Sequence, residues 1–231
     1  MAKASRKLLE RPLYSMSEAA RLLALPPGTV RRWVDGYDRR GVSYPPVIRT
    51  ERTGNDEVTW GEFVETGYLR EYRRKKVSLQ YIRPVVDGLR REYGTPYPLA
   101  HFRPFVSENR RLVLALQEDA HVPRQLHMVE YRSGQLLLAP EAEAFLDKIE
   151  FDGDLAHRMH PGGSASPVVI DPRRSFGVPT IRGIRTEILT ELFLAGETIQ
   201  DIASWHDLSE EEVQAAIRWE ATLFRGAREA A

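Results

Sequence analysis

Two short amphipathic segments separated by a Leu25-Pro26-Pro27-Gly28 break constrain this chain more than anything else in it. Upstream of the break, Ser15 stands three residues before Glu18, the spacing of a capping box in which each side chain satisfies a backbone N–H of the other residue. A helix is therefore expected from Ser15 to about Ala24. The tandem prolines disfavour helical backbone in the residue before each of them, and Gly28 admits a sharp turn. A second helix is expected from Thr29 to about Tyr37, with Val30, Trp33, Val34 and Tyr37 at i, i+3, i+4 and i+7. That stripe turns inward and leaves Arg31, Arg32 and Asp35 facing out.

A bracing helix, a tight turn and a second helix with outward cations are the parts of a helix-turn-helix, whose second helix enters the major groove. Arg31 and Arg32 are the candidate donors to guanine or phosphate, Thr29 a candidate phosphate contact at the helix start, and Arg39 and Arg40 an extension of the same surface. Two β-prone runs, Tyr44–Thr50 and Glu57–Trp60, flank Gly54-Asn55 and are expected to pair as a hairpin wing that presents Arg49 and Arg52 to the DNA backbone or minor groove. The bland alternative is a solvated basic helix in an unrelated helical domain. Cap, turn, stripe, outward arginines and wing agree in order, which favours DNA binding. The residues Ser17 to Ala24 (SEAARLLA) followed by Thr29-Val30-Arg31-Arg32-Trp33 resemble the winged helix-turn-helix of MerR and excisionase-type proteins, over about Leu13 to Tyr93. The chain lacks the long dimerising coiled coil and the cysteine effector site of MerR regulators, so the resemblance implies DNA binding and not effector sensing.

Further along, helices are expected over Trp60–Lys76 and Ser78–Tyr93, then a boundary at Gly94–Pro98. Strands are expected at Leu112–Gln117, Leu126–Tyr131 and Gln135–Leu138, a helix from Pro140 to about Ile149, and a linker or ordered loop over Asp152–Pro167. A short strand at Val168–Ile170 precedes irregular backbone to Thr180 and three helices, Thr186–Ala195, Thr198–Trp205 and Ser209–Phe224, the last with a Ser209/Glu212 capping box. The fold class is α+β, mostly α, in three units: a winged helix-turn-helix over 1–98, a small β-rich connecting region over 99–166, and a helical domain over 167–231.

Net charge is zero, with 33 basic and 33 acidic residues, but it is divided unevenly. Residues 1–111 hold 22 basic against 13 acidic side chains, a net of +9, and the remainder carries −9. Such asymmetry suits one part that meets a polyanion and another that meets something else. With no cysteine, a disulfide framework and thiolate metal sites are excluded. Neither a signal peptide nor an apolar run of about 18 residues is present, and a cytoplasmic protein with no membrane partner is expected.

The carboxyl-terminal segment Gly177-Val178-Pro179-Thr180-Ile181-Arg182-Gly183-Ile184-Arg185, with Leu192–Ile202 and Leu208–Ile217 behind it, resembles the VapB-type antitoxins. The match covers about Pro167 to Leu223. It implies an antitoxin of a type II toxin-antitoxin system that neutralises a VapC-like PIN-domain ribonuclease and represses its own operon. Arg182 and Arg185, with Arg173 and Arg174 behind them, are the candidate toxin-binding residues, because guanidinium groups can satisfy the metal-binding carboxylates of such a nuclease. Equally, the glycines and Pro179 shape a tight turn and the arginines pair with local acids. Asp201, Asp207 and Glu210–Glu212 make the second helical pair too acidic to favour a DNA reader. The apolar positions Ile188, Leu189, Leu192, Phe193, Ile199, Ile202, Trp205, Val213, Ile217, Trp219 and Phe224 are expected to be mostly core, any surplus serving a dimer or toxin interface.

Asp152, Asp154, His157 and His160 are the residues most suggestive of an enzyme, but their spacing matches no metal signature and the neighbouring glycines favour a polar loop. His101, His121, His127 and His206 are scattered. Three functions therefore stand in order: a toxin-neutralising autorepressor, a stand-alone MerR-like or excisionase-like regulator, and a metal-dependent nuclease. No enzymatic activity, metal or cofactor is expected. A homodimer on a palindromic operator is, because two-fold proteins read two-fold sites.

Overall fold

The computed structural model describes residues 7–26, 28–101, 109–132, 135–138 and 140–229. Strand β1 (Pro12–Ser15) runs directly into helix α1 (Met16–Leu22), because the Ser15/Glu18 capping box forms as its spacing predicts. Gly28, at φ +74°, then turns the chain into α2 (Thr29–Val34). This helix is shorter than expected. The N–H groups of Val47 and Ile48 both donate to the Trp33 carbonyl, at 2.9 and 3.0 Å, so the segment after Pro45-Pro46 is consumed in terminating α2.

That consumption corrects the expected hairpin between Tyr44–Thr50 and Glu57–Trp60. Strand β4 (Glu57–Thr59) pairs antiparallel with the distant β1, in register Pro12 to Thr59 and Ser15 to Glu57. The hairpin lies earlier, between β2 (Tyr37–Arg39) and β3 (Val42–Tyr44), where Arg40 and Gly41 both take positive φ, 52° and 76°, as a two-residue primed turn requires. Tyr37 and Tyr44 stack across it at 4.7 Å.

Helix α3 (Trp60–Arg74), capped by Thr59 and Glu62, is the axis of the larger core, with Trp60, Phe63, Val64, Tyr68 and Leu69 all buried. Helix α4 (Leu79–Tyr93) follows and ends at Gly94, φ +59°. Where a strand was expected over Leu112–Gln117 the chain forms helix α5 (Arg110–Asp119). A continuous apolar run cannot distinguish the two periods; here Val113 and Gln117, one helical turn apart, face the core, and the Gln117 amide receives the Met128 N–H at 2.9 Å and donates to the Val129 carbonyl at 3.2 Å. The hairpin of β5 (Val129–Arg132) and β6 (Gln135–Leu138) is present as expected, preceded by a 3-10 turn over Arg124–Leu126.

Helix α6 (Pro140–Leu146) stops short of Ile149, and the expected loop is in part a second hairpin, β7 (Ile149–Asp152) with β8 (Leu155–Met159), turning at Gly153. The Trp60 indole N–H donates to the Ala156 carbonyl at 2.9 Å and fixes β8 on α3. Among the described residues, 99–166 therefore hold helices α5 and α6 besides their hairpins, and Leu99, Val113, Met128, Phe145, Ala156 and Met159 enter the same core as residues of 1–98. Phe145 needs a glycine at position 67 of α3: a Cβ on Gly67 would stand 2.2 Å from its ring.

The carboxyl-terminal part begins with a tight hairpin of β9 (Thr180–Ile181) and β10 (Ile184–Arg185), followed by α7 (Thr186–Leu194), α8 (Ile199–His206) and α9 (Glu210–Glu229). Val168, Ile181, Leu189, Ile202, Val213 and Ala216 form a second, smaller core. Helix α9 spans both, with Val213 in the small core, Leu223 in the large one and Trp219 packed against each. The architecture is α+β and mostly helical.

Glu65 is buried on α3, where it accepts the Leu99 N–H at 2.8 Å and stands 3.8 Å from Arg90. Burial pushes its carboxyl up to about 8, against the opposing pull of Arg90 and the Leu99 amide. The folded chain thus holds a proton that the unfolded chain has released above the ordinary glutamate range. The resulting stability is full below that range and is lost as pH rises through 8. Thermal unfolding should show the midpoint falling between about pH 5 and about pH 8.5, and Glu65→Gln should remove that component of the slope.

Candidate nucleic-acid and partner-binding site

Helix α1 buries Met16, Ala19, Ala20 and Leu22, and α2 buries Val30, Trp33 and Val34, so the two brace each other through their apolar faces. Arg31 and Arg32 remain on the exposed face of α2. Arg31 pairs with the exposed Asp56, a partner it must exchange to reach a base. Thr29 is buried and its hydroxyl accepts from Arg32 at 3.1 Å, which makes it a support for Arg32 and not itself a surface contact.

The hairpin that follows α2 carries Arg39 and Arg40 at its exposed tip. Arg52 donates to both Asp38 carboxylate oxygens at 2.9 Å and ties the loop after residue 50 to β2. That hydrogen bond, followed by one from Ser43, lowers the Asp38 carboxyl. Arg40-Gly41 was the turn signal that the β-prone runs on either side of Gly54 obscured.

Arg49 does not belong to this surface. Its side chain is only 9% exposed, and its guanidinium donates to Glu62 at 2.7 Å, Asp35 at 3.0 Å, the Thr53 hydroxyl at 2.6 Å and the carbonyls of Asn55 and Glu57 at 3.1 and 2.6 Å. Asp35 also receives the N–H groups of Thr53 and Gly54 at 2.8 and 3.0 Å. Burial alone would raise its carboxyl, but these hydrogen bonds together outweigh burial and hold it below the usual range. The expected phosphate contact is an interior clamp.

The arginines assigned to partner binding fall in two places. Arg173 and Arg174 lie on a loop organised by Asp171, which is buried, accepts the Arg173 N–H at 2.8 Å and receives Arg158 at 3.1 Å. Ser175, Phe176 and Gly177 then take three successive left-handed conformations, φ 46°, 56° and 72°. The buried Tyr14 hydroxyl donates to the Gly177 carbonyl at 2.6 Å, and a Cβ on Gly177 would stand 2.6 Å from that hydroxyl oxygen. The outcome is an aromatic ring 72% exposed, beside a 73% exposed Arg174 side chain. No sequence pattern announces an outward Phe176; its exposure follows from backbone signs that only glycine adopts freely.

Arg182 and Gly183 form the turn between β9 and β10, both at positive φ. Arg182 donates to Glu212 at 3.0 Å and to the Asp207 carbonyl at 3.2 Å, while Arg185 is exposed immediately before α7. The two arginine pairs thus engage different neighbours. Of the apolar positions expected to be mostly core, Leu189, Ile202 and Val213 are buried, whereas Ile188, Phe193, Trp205 and Phe224 are exposed, along with Leu194.

The acid and histidine residues over 152–160 do not converge. Asp154 meets His101 at 3.0 Å, His160 meets Glu150 at 3.2 Å, Asp152 lies 3.9 Å from Arg173, and His157 is buried with its imidazole pKa lowered by burial and then by Arg173. Among the described residues no group of three His, Asp or Glu side chains is placed to hold a metal ion, and no helix is long and apolar enough to cross a membrane.

Two segments of the chain match known family models. Residues 12–86 match a family model described as "Putative DNA-binding HTH domain", and residues 168–219 match one described as "Protein of unknown function (DUF433)". The "Uncharacterized protein Rv2308" of Mycobacterium tuberculosis is 37% identical over 91% of this chain and 90% of its own length. The "Putative antitoxin VapB45" of the same organism is 31% identical over 89% of this chain and 92% of its own. The crystal structure of Rv2018 from M. tuberculosis superposes with a TM-score of 0.73 at 26% identity, covering 90% of this chain and 98% of that one.

Arg49→Met should lower the free energy of unfolding by about 3–5 kcal/mol, the usual cost of stripping one member from a buried charge cluster. Chemical denaturation checks it. A variant that unfolds like the parent but binds DNA less tightly would return Arg49 to the surface set.

Proposed function

This chain belongs to the family that includes Rv2308 and the "Putative antitoxin VapB45" of M. tuberculosis, and from that premise we propose that it is an operator-binding antitoxin. The observation that carries the DNA half is the placement of four exposed arginines within ten residues, Arg31 and Arg32 on α2 and Arg39 and Arg40 at the hairpin tip, over a buried apolar face. In that reading α2 enters the major groove, Arg32 supported by Thr29, and the hairpin lies on the flanking backbone as a MerR-like wing. Two copies acting as a homodimer would place two such helices on a palindromic operator in the cytoplasm, giving autorepression.

The partner half is binding, not catalysis. A VapC-like PIN-domain ribonuclease uses clustered carboxylates around a divalent cation, and a guanidinium entering that cluster satisfies the carboxylates and displaces the cation. Arg173 and Arg174 support this reading best, because the strained loop presents them beside Phe176, an aromatic anchor suited to an adjoining apolar pocket. Arg185 extends the set. The engagement of Arg182 by Glu212 favours the second reading, a stand-alone regulator of MerR or excisionase type in which these residues are structural.

Fluorescence anisotropy with the chain's own promoter DNA tests the first half. Arg31→Ala/Arg32→Ala should weaken binding by at least about tenfold and leave the unfolding midpoint unchanged. Unaltered affinity would remove α2 as the reading helix. For the partner half, Phe176→Ala, at a residue 72% exposed, should cost about 2 kcal/mol or more in affinity for a VapC-like nuclease that co-purifies with this chain, measured by calorimetry. Complexes of equal affinity would place the contact elsewhere.

A further inference from the structure

Between α2 and the carboxyl-terminal turn of α3 lies an open cleft of about 460 Å³, within the range of ligand-binding sites. Four of its lining side chains are arginines, Arg32, Arg70, Arg73 and Arg74, and its apolar wall includes Trp33 and Leu79. No carboxylate lines it among the described residues. The acid that approaches these cations is Glu71, shared between Arg70 at 2.6 Å and Arg74 at 3.3 Å. Arg32 and Arg73 donate to neutral oxygens, those of the Thr29 hydroxyl and the Val77 carbonyl.

The charge is therefore under-compensated, and a neighbouring group feels it. The half-buried Lys148 ammonium is lowered by burial first and then by Arg70, with Arg74 adding and Glu71 opposing. Placing basic residues in the last turn of α3 favours the helix dipole and accounts for Arg73 and Arg74 being there. It does not account for Arg32, which reaches the same cleft from a different helix.

We propose that this cleft binds a phosphate group, held by Arg32, Arg73 and Arg74 over the apolar wall. Guanidinium forks match phosphate oxygens bidentately, and the tetrahedral oxygens of a phosphate can be met from several directions by converging arginines, where a planar carboxylate offers two oxygens in one plane. The phosphate belongs either to a small phosphorylated ligand or to the backbone of a nucleic acid that passes over α2. The nucleic-acid source rests on the proposed operator binding, with which it shares Arg32; the small-ligand source does not.

Two measurements on the full chain separate these sources. Calorimetric titration with inorganic pyrophosphate, against sodium chloride of equal ionic strength, reads the small-ligand source. Binding that weakens at least about fivefold in Arg74→Gln, whose side chain is 60% exposed and whose partner Glu71 keeps its shorter pair with Arg70, supports it. Anisotropy with promoter DNA across a salt series reads the backbone source, where Arg74→Gln should lower the slope of log affinity against log salt by about 0.9, one phosphate contact. Arg73→Gln is the second variant, with circular dichroism confirming that the turn at Val77 persists. Pyrophosphate binding without DNA binding would uphold the cleft while removing operator reading. A chain that fails to bind pyrophosphate and whose DNA salt slope ignores both variants overturns the proposal.

Discussion

The position of α2, the second helix of the helix-turn-helix, depends on one buried guanidinium. Asp35 closes α2 and Glu62 opens α3, and both are carboxylates almost without access to water. Two buried negative charges a few ångströms apart would repel, and each would be costly to desolvate. Arg49 lies between them and donates to both, while its remaining N–H groups collect the Thr53 hydroxyl and two backbone carbonyls of the loop over 53–57. A single planar fork thereby fixes the angle between α2 and the central helix and shapes the segment that leads into β4. The exposed arginines of α2 face outward together because this interior one holds the helix in place.

The second constraint joins the two ends of the chain. Tyr14 sits one residue before the Ser15 cap of α1, and its hydroxyl holds the Gly177 carbonyl on the far side of the sequence. Left-handed conformations at Ser175 and Phe176 cost on the order of 1–3 kcal/mol each and persist only where the surroundings over-determine them. Here Asp171 fixes the loop's start, the Arg174 carbonyl receives the Gly177 N–H, and Tyr14 fixes the end. The proposed partner loop is therefore built on the same platform as the helix-turn-helix, and α9, with side chains in both cores, completes that join.

What the sequence made legible was local. The Ser15/Glu18 and Ser209/Glu212 boxes, the break at Gly28 and the three carboxyl-terminal helices depend on neighbours within four residues, and each is present. What it obscured was set at long range. β4 found β1 across more than forty residues because the intervening Val47 and Ile48 amides were taken by Trp33. α5 prevailed over a strand through the paired contacts of Gln117 with Met128 and Val129. The β7–β8 hairpin had its own local signal in Asp152-Gly153, which the surrounding polar residues masked.

Arginine was the residue type whose role composition described least. The amino-terminal excess of +9 suggested a basic face, but a guanidinium's role is set by the carboxylates within reach of it. Arg49 and Arg90 lie beside buried acids and became interior struts, Arg90 bridging Glu65 and the carbonyls of Val47 and Ile48. Arg52 found Asp38 and became a brace for the hairpin. On α2 Arg31 is shared with Asp56, whereas the cleft beside it has four arginines and no carboxylate among its described lining residues. Only unneutralised charge contributes to long-range attraction of DNA or phosphate. The distribution of acidic residues, more than the number of basic ones, decides which of these arginines remain available to a polyanion.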